Sequence, residues 1–179
     1  MDIASCAITG HRPNYFKFGY DEEHPDCIKL KLAILRQIEL FYHSGFTRFL
    51  TGGALGVDMW AAEIVIELMG LHKDMEFYCV IPYEEQAARW SPPQRERYYT
   101  ILSRSTRNIL IGAQYTGYCY SKRNRYLVDN SDILMAVYDA AETKKSGTRS
   151  TVEYAHKKER GILFIHPDTA RITQIVIKS

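Results

Sequence analysis

The sequence predicts a Rossmann-like α/β fold: a three-layer sandwich with a mostly parallel sheet and helices on both faces. Two observations carry this prediction. Short apolar runs typical of strands alternate with amphipathic helical segments along almost the whole chain, and glycine-bearing loops follow several of the runs. Such alternation favours parallel pairing, because each crossover helix packs back on the sheet. Since no composition break marks a linker and 179 residues suit one core, we expect a single domain over residues 1–179.

Seven strands are expected. Six are predicted from short apolar runs, which cover residues 3–9, 46–51, 77–81, 108–111, 133–138 and 161–165. The seventh, over residues 172–177, alternates apolar and polar residues. This alternation is typical of a strand with one face in water, so it predicts a position at the edge of the sheet.

Two helices are predicted from apolar stripes at helical spacing. Before the second strand, the stripe consists of Ile28, Leu32, Leu35, Ile38 and Tyr42. Gly45 then follows as the residue that ends the helix. After the second strand, the stripe consists of Val57, Ala61, Ile64, Val65 and Leu68. Residues 82–93 are irregular and follow the third strand, so a lid over the ligand edge and a packed crossover both remain open.

Composition excludes several classes of protein. The formal net charge of +2 is too small to indicate a nucleic-acid partner from bulk charge alone. The four cysteines form no CxxC pair, which argues against a disulfide framework and a structural zinc site. No apolar stretch has the length of a transmembrane helix, and the N-terminus lacks the pattern of a signal peptide. We therefore expect a cytoplasmic protein with no metal site and no membrane partner, and leave homo-oligomerisation open.

Three loops carry glycine and basic residues where an open α/β sheet binds its ligand, outside the carboxyl ends of the strands. They are residues 9–13 (TGHRP), residues 51–58 (TGGALGVD), and residues 123–125 (RNR) together with 146–148 (SGT). Glycines let backbone amides approach a ligand, and helix starts offer unpaired N–H groups to an anion. The pattern predicts a phosphate-bearing ligand. Its candidate contacts are Gly10, His11, Arg12, Gly52, Gly53, Gly56, Asp58, Arg123, Asn124, Gly147 and Thr148.

In this interpretation the phosphate lies on the amides of residues 52–56 and 147–148, and Arg12 or Arg123 neutralises its charge. Several candidates also have a structural explanation. Asp58 either caps a helix or contacts the ligand, and the same choice holds for Thr148. An arginine beside a glycine turn suits phosphate or carboxylate recognition, whereas a lone histidine such as His11 is more often structural.

The residues favour binding over catalysis. The loop over residues 52–56 lacks both the GxGxxG spacing of a dinucleotide site and the GK[ST] of a P-loop. No Ser-His-Asp grouping, metal cluster or clear nucleophile is evident. We therefore expect a protein that binds its ligand without a certain cofactor, and we do not favour an enzyme.

Four motifs, taken together and in this order, resemble the YpsA-like family of the SLOG superfamily of Rossmann-like nucleotide-ligand proteins. They cover residues 8–13, 52–63, 123–132 and 146–155, so the resemblance spans almost the whole chain. It implies a nucleotide-derived ligand with no firmly assigned reaction. It also implies a link, in some members, to bacterial cell division and stress responses.

Two related families share parts of the pattern. The DNA-processing protein A family, which binds single-stranded DNA, has a GGA-x-G-[IV]-D turn, an RNR helix and an SG-x-x-x-TA helix start in the same order. The LOG phosphoribohydrolases have an Arg-Lys pair before a Ser-Asp, then PGG-x-GT-x-x-E. This similarity adds Asp132 to the candidate site. The chain departs from the LOG pattern at Asn124, which replaces the lysine, and at Thr151, which replaces the essential glutamate.

The leading hypothesis is therefore binding or sensing of a nucleotide-derived small molecule at the carboxyl edge of the sheet. The first alternative is a LOG-like nucleoside-monophosphate phosphoribohydrolase, which would need a substitute carboxylate from Asp58, Asp129 or Asp132. The second alternative, ranked lower, is binding of single-stranded DNA through the aromatic residues Tyr115, Tyr118 and Tyr120.

Overall fold

A computed structural model describes residues 4–175. The strands are β1 (Ala4–Gly10), β2 (Phe46–Thr51), β3 (Glu76–Ile81), β4 (Arg107–Leu110), β5 (Ile133–Val137), β6 (Gly161–Ile165) and β7 (Ile172–Ile175). The helices are α1 (Pro25–His43), α2 (Val57–Met69), α3 (Pro92–Arg104), α4 (Cys119–Asp129) and α5 (Gly147–Lys157), with a 3-10 turn at Pro13–Tyr15.

The strands form one sheet in the order β4-β3-β2-β1-β5-β6-β7. The first six pair in parallel, and β7 runs antiparallel to β6. The chain moves outward from β1 to β4 and then returns to place β5 on the other side of β1. In such a sheet, ligands bind in the crevice where the strand order reverses. The crevice of this sheet therefore lies between the carboxyl ends of β1 and β5.

Helices cover both faces of the sheet, as the three-layer prediction requires. Helices α1, α2 and α3 pack into one apolar core, and α4 and α5 pack into the other. Strand β5 is buried along its whole length, because a central parallel strand is covered on both sides. The Rossmann-like α/β prediction is confirmed.

The predicted strand positions are also close to the observed ones. Strand β7 forms an edge of the sheet within residues 4–175, as its alternating pattern predicted. Ile3, predicted in the first strand, and residues 176–177, predicted in the seventh, lie outside the described residues. Gly45 follows the last residues of α1 with a φ of +97°, a left-handed conformation that glycine adopts readily.

The predicted inner stripe of α1 is only partly right, because Ile38 is buried and Leu35 and Tyr42 pack against the core, but the first two residues of the stripe do not. The helix buries Cys27, Leu30, Ile34 and Ile38. Ile28 and Leu32, the first two residues of the predicted stripe, are 42% and 46% exposed. The helix carries apolar residues on two faces, and spacing alone does not say which of them meets the sheet. The predicted stripe of α2 is buried apart from the partly covered Ile64.

Within residues 4–175, no helix combines the length and apolar character needed to cross a bilayer. All four cysteines are buried and unpaired. The described part of the chain contains no group of three His, Cys, Asp or Glu side chains suitable for a metal ion.

Candidate ligand-binding site

A cavity of about 490 Å³ lies at the crevice between β1 and β5, and we call it the switch-point cavity. Its walls come from the loop after β1, the loop after β2, helix α4 and the start of α5. The carboxyl edge of a parallel sheet brings these distant segments together. The sequence-predicted residues that line the cavity are Gly10, His11, Arg12, Asp58, Arg123, Asn124, Gly147 and Thr148.

Gly52, Gly53 and Gly56 do not line the cavity. Gly56 has a φ of +91°, and a Cβ there would lie 2.6 Å from the carbonyl oxygen of His11. Gly53 has a φ of +63°, and a Cβ there would lie 2.8 Å from Sγ of Cys79. These glycines therefore allow the loop after β2 to pack closely against its neighbours.

Asp58 and Arg123 hold the loop after β2 from within. Oδ2 of Asp58 accepts the amide N–H of Ala54 at 3.3 Å and lies 3.8 Å from Nη1 of Arg123. Nη1 of Arg123 donates to the carbonyl oxygen of Gly52, and its Nε donates to Oδ1 of Asn124 at 2.7 Å. Burial raises the pKa of Asp58, while the positive charge of Arg123 opposes that rise.

This contact corrects one sequence-based expectation. The amides of residues 52–56 are predicted to hold a ligand phosphate, but the amide of Ala54 already donates to the carboxylate of Asp58. The amide of Gly53 likewise faces Oγ1 of Thr51 at 3.4 Å. Much of the anion-binding capacity of this loop is therefore used inside the protein.

The start of α5 remains available to an anion. Ser146 is the N-cap, and its hydroxyl accepts the amide of Arg149 at 3.1 Å. The cap is therefore Ser146 and not Thr148. The amides of Gly147 and Thr148, the first two of the helix, have no acceptor within residues 4–175. Free amides at a helix start favour negative charge, so the start of α5 could accept an anion.

The two arginines of the cavity differ in their availability. Arg123 is buried and engaged with Gly52 and Asn124. Arg12 is exposed, and none of the ion pairs among the described residues involves it. Its guanidinium lies 5.5 Å from the centre of the Tyr120 ring. Arg12 is therefore the cation that can turn to a ligand.

His11 forms part of the cavity wall as a neutral side chain. It is 5% exposed, and its ring stacks on Tyr15 with 3.5 Å between ring centres. Burial lowers the pKa of His11 to about 4, against a smaller opposing effect of the Glu142 charge. Its Nε2 is shut off from solvent and has no hydrogen-bond partner among residues 4–175.

The low pKa of His11 predicts a loss of stability in mild acid. Because the folded-state pKa lies below the unfolded value, the contribution is complete above about pH 6.5 and is lost as the pH falls toward 4. We expect the free energy of unfolding to drop by about 2 kcal/mol between pH 7.5 and pH 5 through this group. Urea unfolding at both pH values measures the drop. The variant His11→Gln should lack the part of the drop that comes from His11. An equal drop in the variant and the native protein would contradict the attribution to His11.

The structure does not bring Asp132 together with the other candidates in the switch-point cavity. It stands just before β5, at the amino end of that strand, where Oδ2 accepts the amide of Ser5 at 2.8 Å and the Ser5 hydroxyl at 2.9 Å. The connection from α4 enters β5 at the edge of the sheet opposite the cavity. The order of elements along the chain therefore excludes Asp132 from the cavity.

Two contributions were not recognised in the sequence. Tyr120, considered there only as a stacking residue for DNA, lines the switch-point cavity. Gln86, in the segment over residues 82–93, donates from Nε2 to the carbonyl oxygens of Gly52 and Gly53 at 3.5 and 3.4 Å. Trp90 of the same segment packs on Tyr98 with 5.3 Å between ring centres. These contacts make the segment a packed crossover rather than a lid, and no sequence signal marked Gln86.

A parallel α/β sheet with a polar cavity at its switch point defines the Rossmann-like class of proteins. Within that class, the family model described as YpsA, YspA SLOG family, matches residues 6–170. The chain belongs to the YpsA family, which confirms the resemblance found in its motifs.

Curated relatives and a solved structure agree with this assignment. The UPF0398 protein of Bacillus thuringiensis (strain Al Hakam) is 32% identical over 155 residues, which cover 85% of this chain and 82% of the relative. The UPF0398 proteins of Bacillus cereus strains AH187 and Q1 match to the same extent. The fold is similar to that of DNA processing protein A from Helicobacter pylori, with a TM-score of 0.58 and 19% identity over 90% of this chain. The chain spans 64% of that structure, which was described for its single-stranded DNA binding mode.

Proposed function

We propose that this protein binds a nucleotide-derived small molecule, with the phosphate at the start of α5 in the switch-point cavity. The observation that carries the proposal is that Gly147 and Thr148 line a cavity of about 490 Å³, while their amides have no acceptor among the described residues. A phosphate needs donors and positive charge, and a helix start supplies both. Arg12 adds an exposed cation to the same cavity.

Each residue around the phosphate has a defined role in this proposal. The amides of Gly147 and Thr148 and the hydroxyl of Thr148 donate to phosphate oxygens, and Arg12 neutralises the charge with its forked guanidinium. Oδ1 of Asn124 accepts a hydrogen bond from Nε of Arg123, which leaves the side-chain amide nitrogen of Asn124 as a donor. A Cβ at Gly147 would lie 3.9 Å from this nitrogen, so the donor is beside the helix start.

Replacing Gly147 by proline should abolish phosphate binding without harm to the fold. Proline lacks the amide hydrogen but is favoured at the first position of a helix. The preceding residue, Ser146, has the extended conformation that a following proline requires, with φ −151° and ψ 161°. Thermal unfolding is measured with AMP, ADP, ADP-ribose and NAD. At a ligand concentration of about a hundred times Kd, the Tm of the native protein should rise by about 5–10 °C. The Tm of Gly147→Pro should not change measurably.

Gly147→Ala is the matched control, because it keeps the amide hydrogen and its added methyl meets only Asn124, at a normal distance. It should respond like the native protein. Arg12→Ala removes the exposed arginine of the cavity. Arg36→Ala, which removes an exposed arginine elsewhere, is its control. If no compound of the panel shifts the Tm of the native protein, the proposed function is wrong.

The same samples separate the two alternatives. Among the described residues that line the switch-point cavity, Asp58 alone is acidic, and its carboxylate is engaged with Ala54 and Arg123. We therefore expect no release of free base from AMP, and its release would favour a phosphoribohydrolase. The fold of DNA processing protein A raises the single-stranded DNA alternative. Tight binding of labelled oligo-dT that weakens steeply with salt would favour it.

Sensing would follow from such binding if the ligand is a signal. The family resemblance supports the proposal of a role in bacterial stress responses or cell division, and we propose a cytoplasmic location for it. Identification by mass spectrometry of a ligand that copurifies with the protein would test the choice of ligand directly.

A further inference from the structure

A second cavity of about 550 Å³ lies next to the first, and we call it the tyrosine cavity. The rings of Tyr83, Tyr115 and Tyr120 meet there edge to face, with centres 5.4 to 6.5 Å apart. Gln86 and Trp90 from the crossover after β3 complete the walls. Such a set of rings offers flat apolar surface to a planar group.

Tyr120 joins the two cavities. Its side chain lines both of them, and the guanidinium of Arg12 lies 5.5 Å from the centre of its ring. The guanidinium of Arg123 lies 5.9 Å from the same ring. A ligand held by its phosphate at α5 therefore needs only to extend past Tyr120 to place its other end among the tyrosines.

Gln86 gives the tyrosine cavity a polar wall. It is 4% exposed, and its Nε2 faces the carbonyl oxygens of Gly52 and Gly53. Carbonyl oxygens only accept hydrogen bonds, which fixes the orientation of the Gln86 amide. Its Oε1 is buried and receives no hydrogen bond from the described residues. Buried acceptors are rarely left without a donor, so this atom calls for an N–H group.

We infer that the tyrosine cavity is the base subsite for the ligand, which is then a nucleoside phosphate whose base carries an exocyclic amine. This inference rests on the proposed function, because the phosphate at α5 sets where the base lies. The tyrosine rings stack on the faces of the base, and Oε1 of Gln86 accepts from its amino group. Stacking on aromatic side chains tolerates any base, whereas the acceptor distinguishes an amino group from an oxo group.

Isothermal titration with AMP, IMP and ribose 5-phosphate tests the inference on the native protein and two variants. Tyr115 lines the cavity and is 64% exposed, so Tyr115→Ala removes a stacking surface with little effect on the core. Tyr118, on the same loop and 73% exposed, does not line the cavity, so Tyr118→Ala is the matched control. We expect AMP to bind more tightly than both IMP and ribose 5-phosphate. Tyr115→Ala should weaken AMP binding about tenfold and leave ribose 5-phosphate unchanged, and Tyr118→Ala should change neither.

The outcomes distinguish this inference from the proposal beneath it. Equal affinity for AMP and ribose 5-phosphate, or equal effects of Tyr115→Ala and Tyr118→Ala, would overturn the base subsite and leave the phosphate site standing. Equal affinity for AMP and IMP would overturn the role of Gln86 in selecting an amino group. Failure of all three compounds to bind the native protein would overturn both proposals. Tighter binding of oligo-dT than of AMP, lost in Tyr115→Ala, would assign the cavity to a single strand and overturn the mononucleotide.

Discussion

The free energy of unfolding of Gly56→Ala is expected to be about 3 kcal/mol lower than that of the native protein. Gly56 has φ +91° and ψ −131°, a conformation that side chains strongly disfavour. A Cβ there would also lie 2.6 Å from the carbonyl oxygen of His11 and 3.0 Å from Cδ of Pro13. Pro13 belongs to the 3-10 turn, and the carbonyl oxygen of His11 already accepts the amide of Val57 at 3.3 Å, so relief requires that the loops after β1 and β2 move apart. Urea unfolding measures the loss.

Gly45→Ala separates the two contributions to this loss. Gly45 has a similar φ of +97°, but no heavy atom lies within 4 Å of the Cβ position. Gly45→Ala should therefore lose only the part of the unfolding free energy that comes from the strained backbone, about 1–2 kcal/mol. Because the loops move in Gly56→Ala, its cavity should also bind the ligand more weakly. Equal losses in the two variants would show that the contact between the loops is not tight.

The fold could be predicted because its signals are local and repeated. The central strands β1, β5 and β6 are short apolar runs followed by loops, and a parallel sheet is the arrangement that buries such runs. The inner face of α1 is predicted correctly only in its second half, and there is a physical reason. Ile28 and Leu32 have the same helical spacing as the buried Leu30 and Ile34, and only packing on the sheet distinguishes the two faces.

The site was predictable in its location but not in its hydrogen bonds. Glycine loops and a helix start after parallel strands indicate one edge of the sheet, and eight of the twelve candidate residues line the cavity there. Spacing in sequence did not reveal that Asp58 would occupy an amide of its own loop. Nor could it show that Gln86, 34 residues along the chain, would hold the carbonyl oxygen of Gly52. Such contacts depend on side-chain directions that are set by the whole fold.

Loss of the Arg123 charge is expected to have the largest effect on stability. In Arg123→Met, the buried carboxylate of Asp58 keeps no close counter-charge, and the carbonyl oxygen of Gly52 loses a donor. Removal of one partner from a buried ion pair lowers the free energy of unfolding by about 3–5 kcal/mol. Urea unfolding at pH 7.5 measures the loss. In the double variant Asp58→Asn, Arg123→Met, much of it should be recovered, because no isolated charge stays buried.

The pH dependence tests whether the Asp58 charge is the cause. Burial already raises the pKa of Asp58, and Arg123→Met removes the main influence that opposes this rise. With the folded-state pKa above the unfolded value, the folded protein holds the proton more tightly. Its stability is therefore retained below the unfolded pKa and lost as the pH rises through the folded pKa. Relative to the native protein, Arg123→Met should be less destabilised at pH 4.5 than at pH 7.5. The double variant, which has no carboxyl group at residue 58, should not be more destabilised at pH 7.5 than at pH 4.5. A loss in Arg123→Met that is equal at both pH values would attribute the effect to the lost hydrogen bonds instead of the unpaired carboxylate.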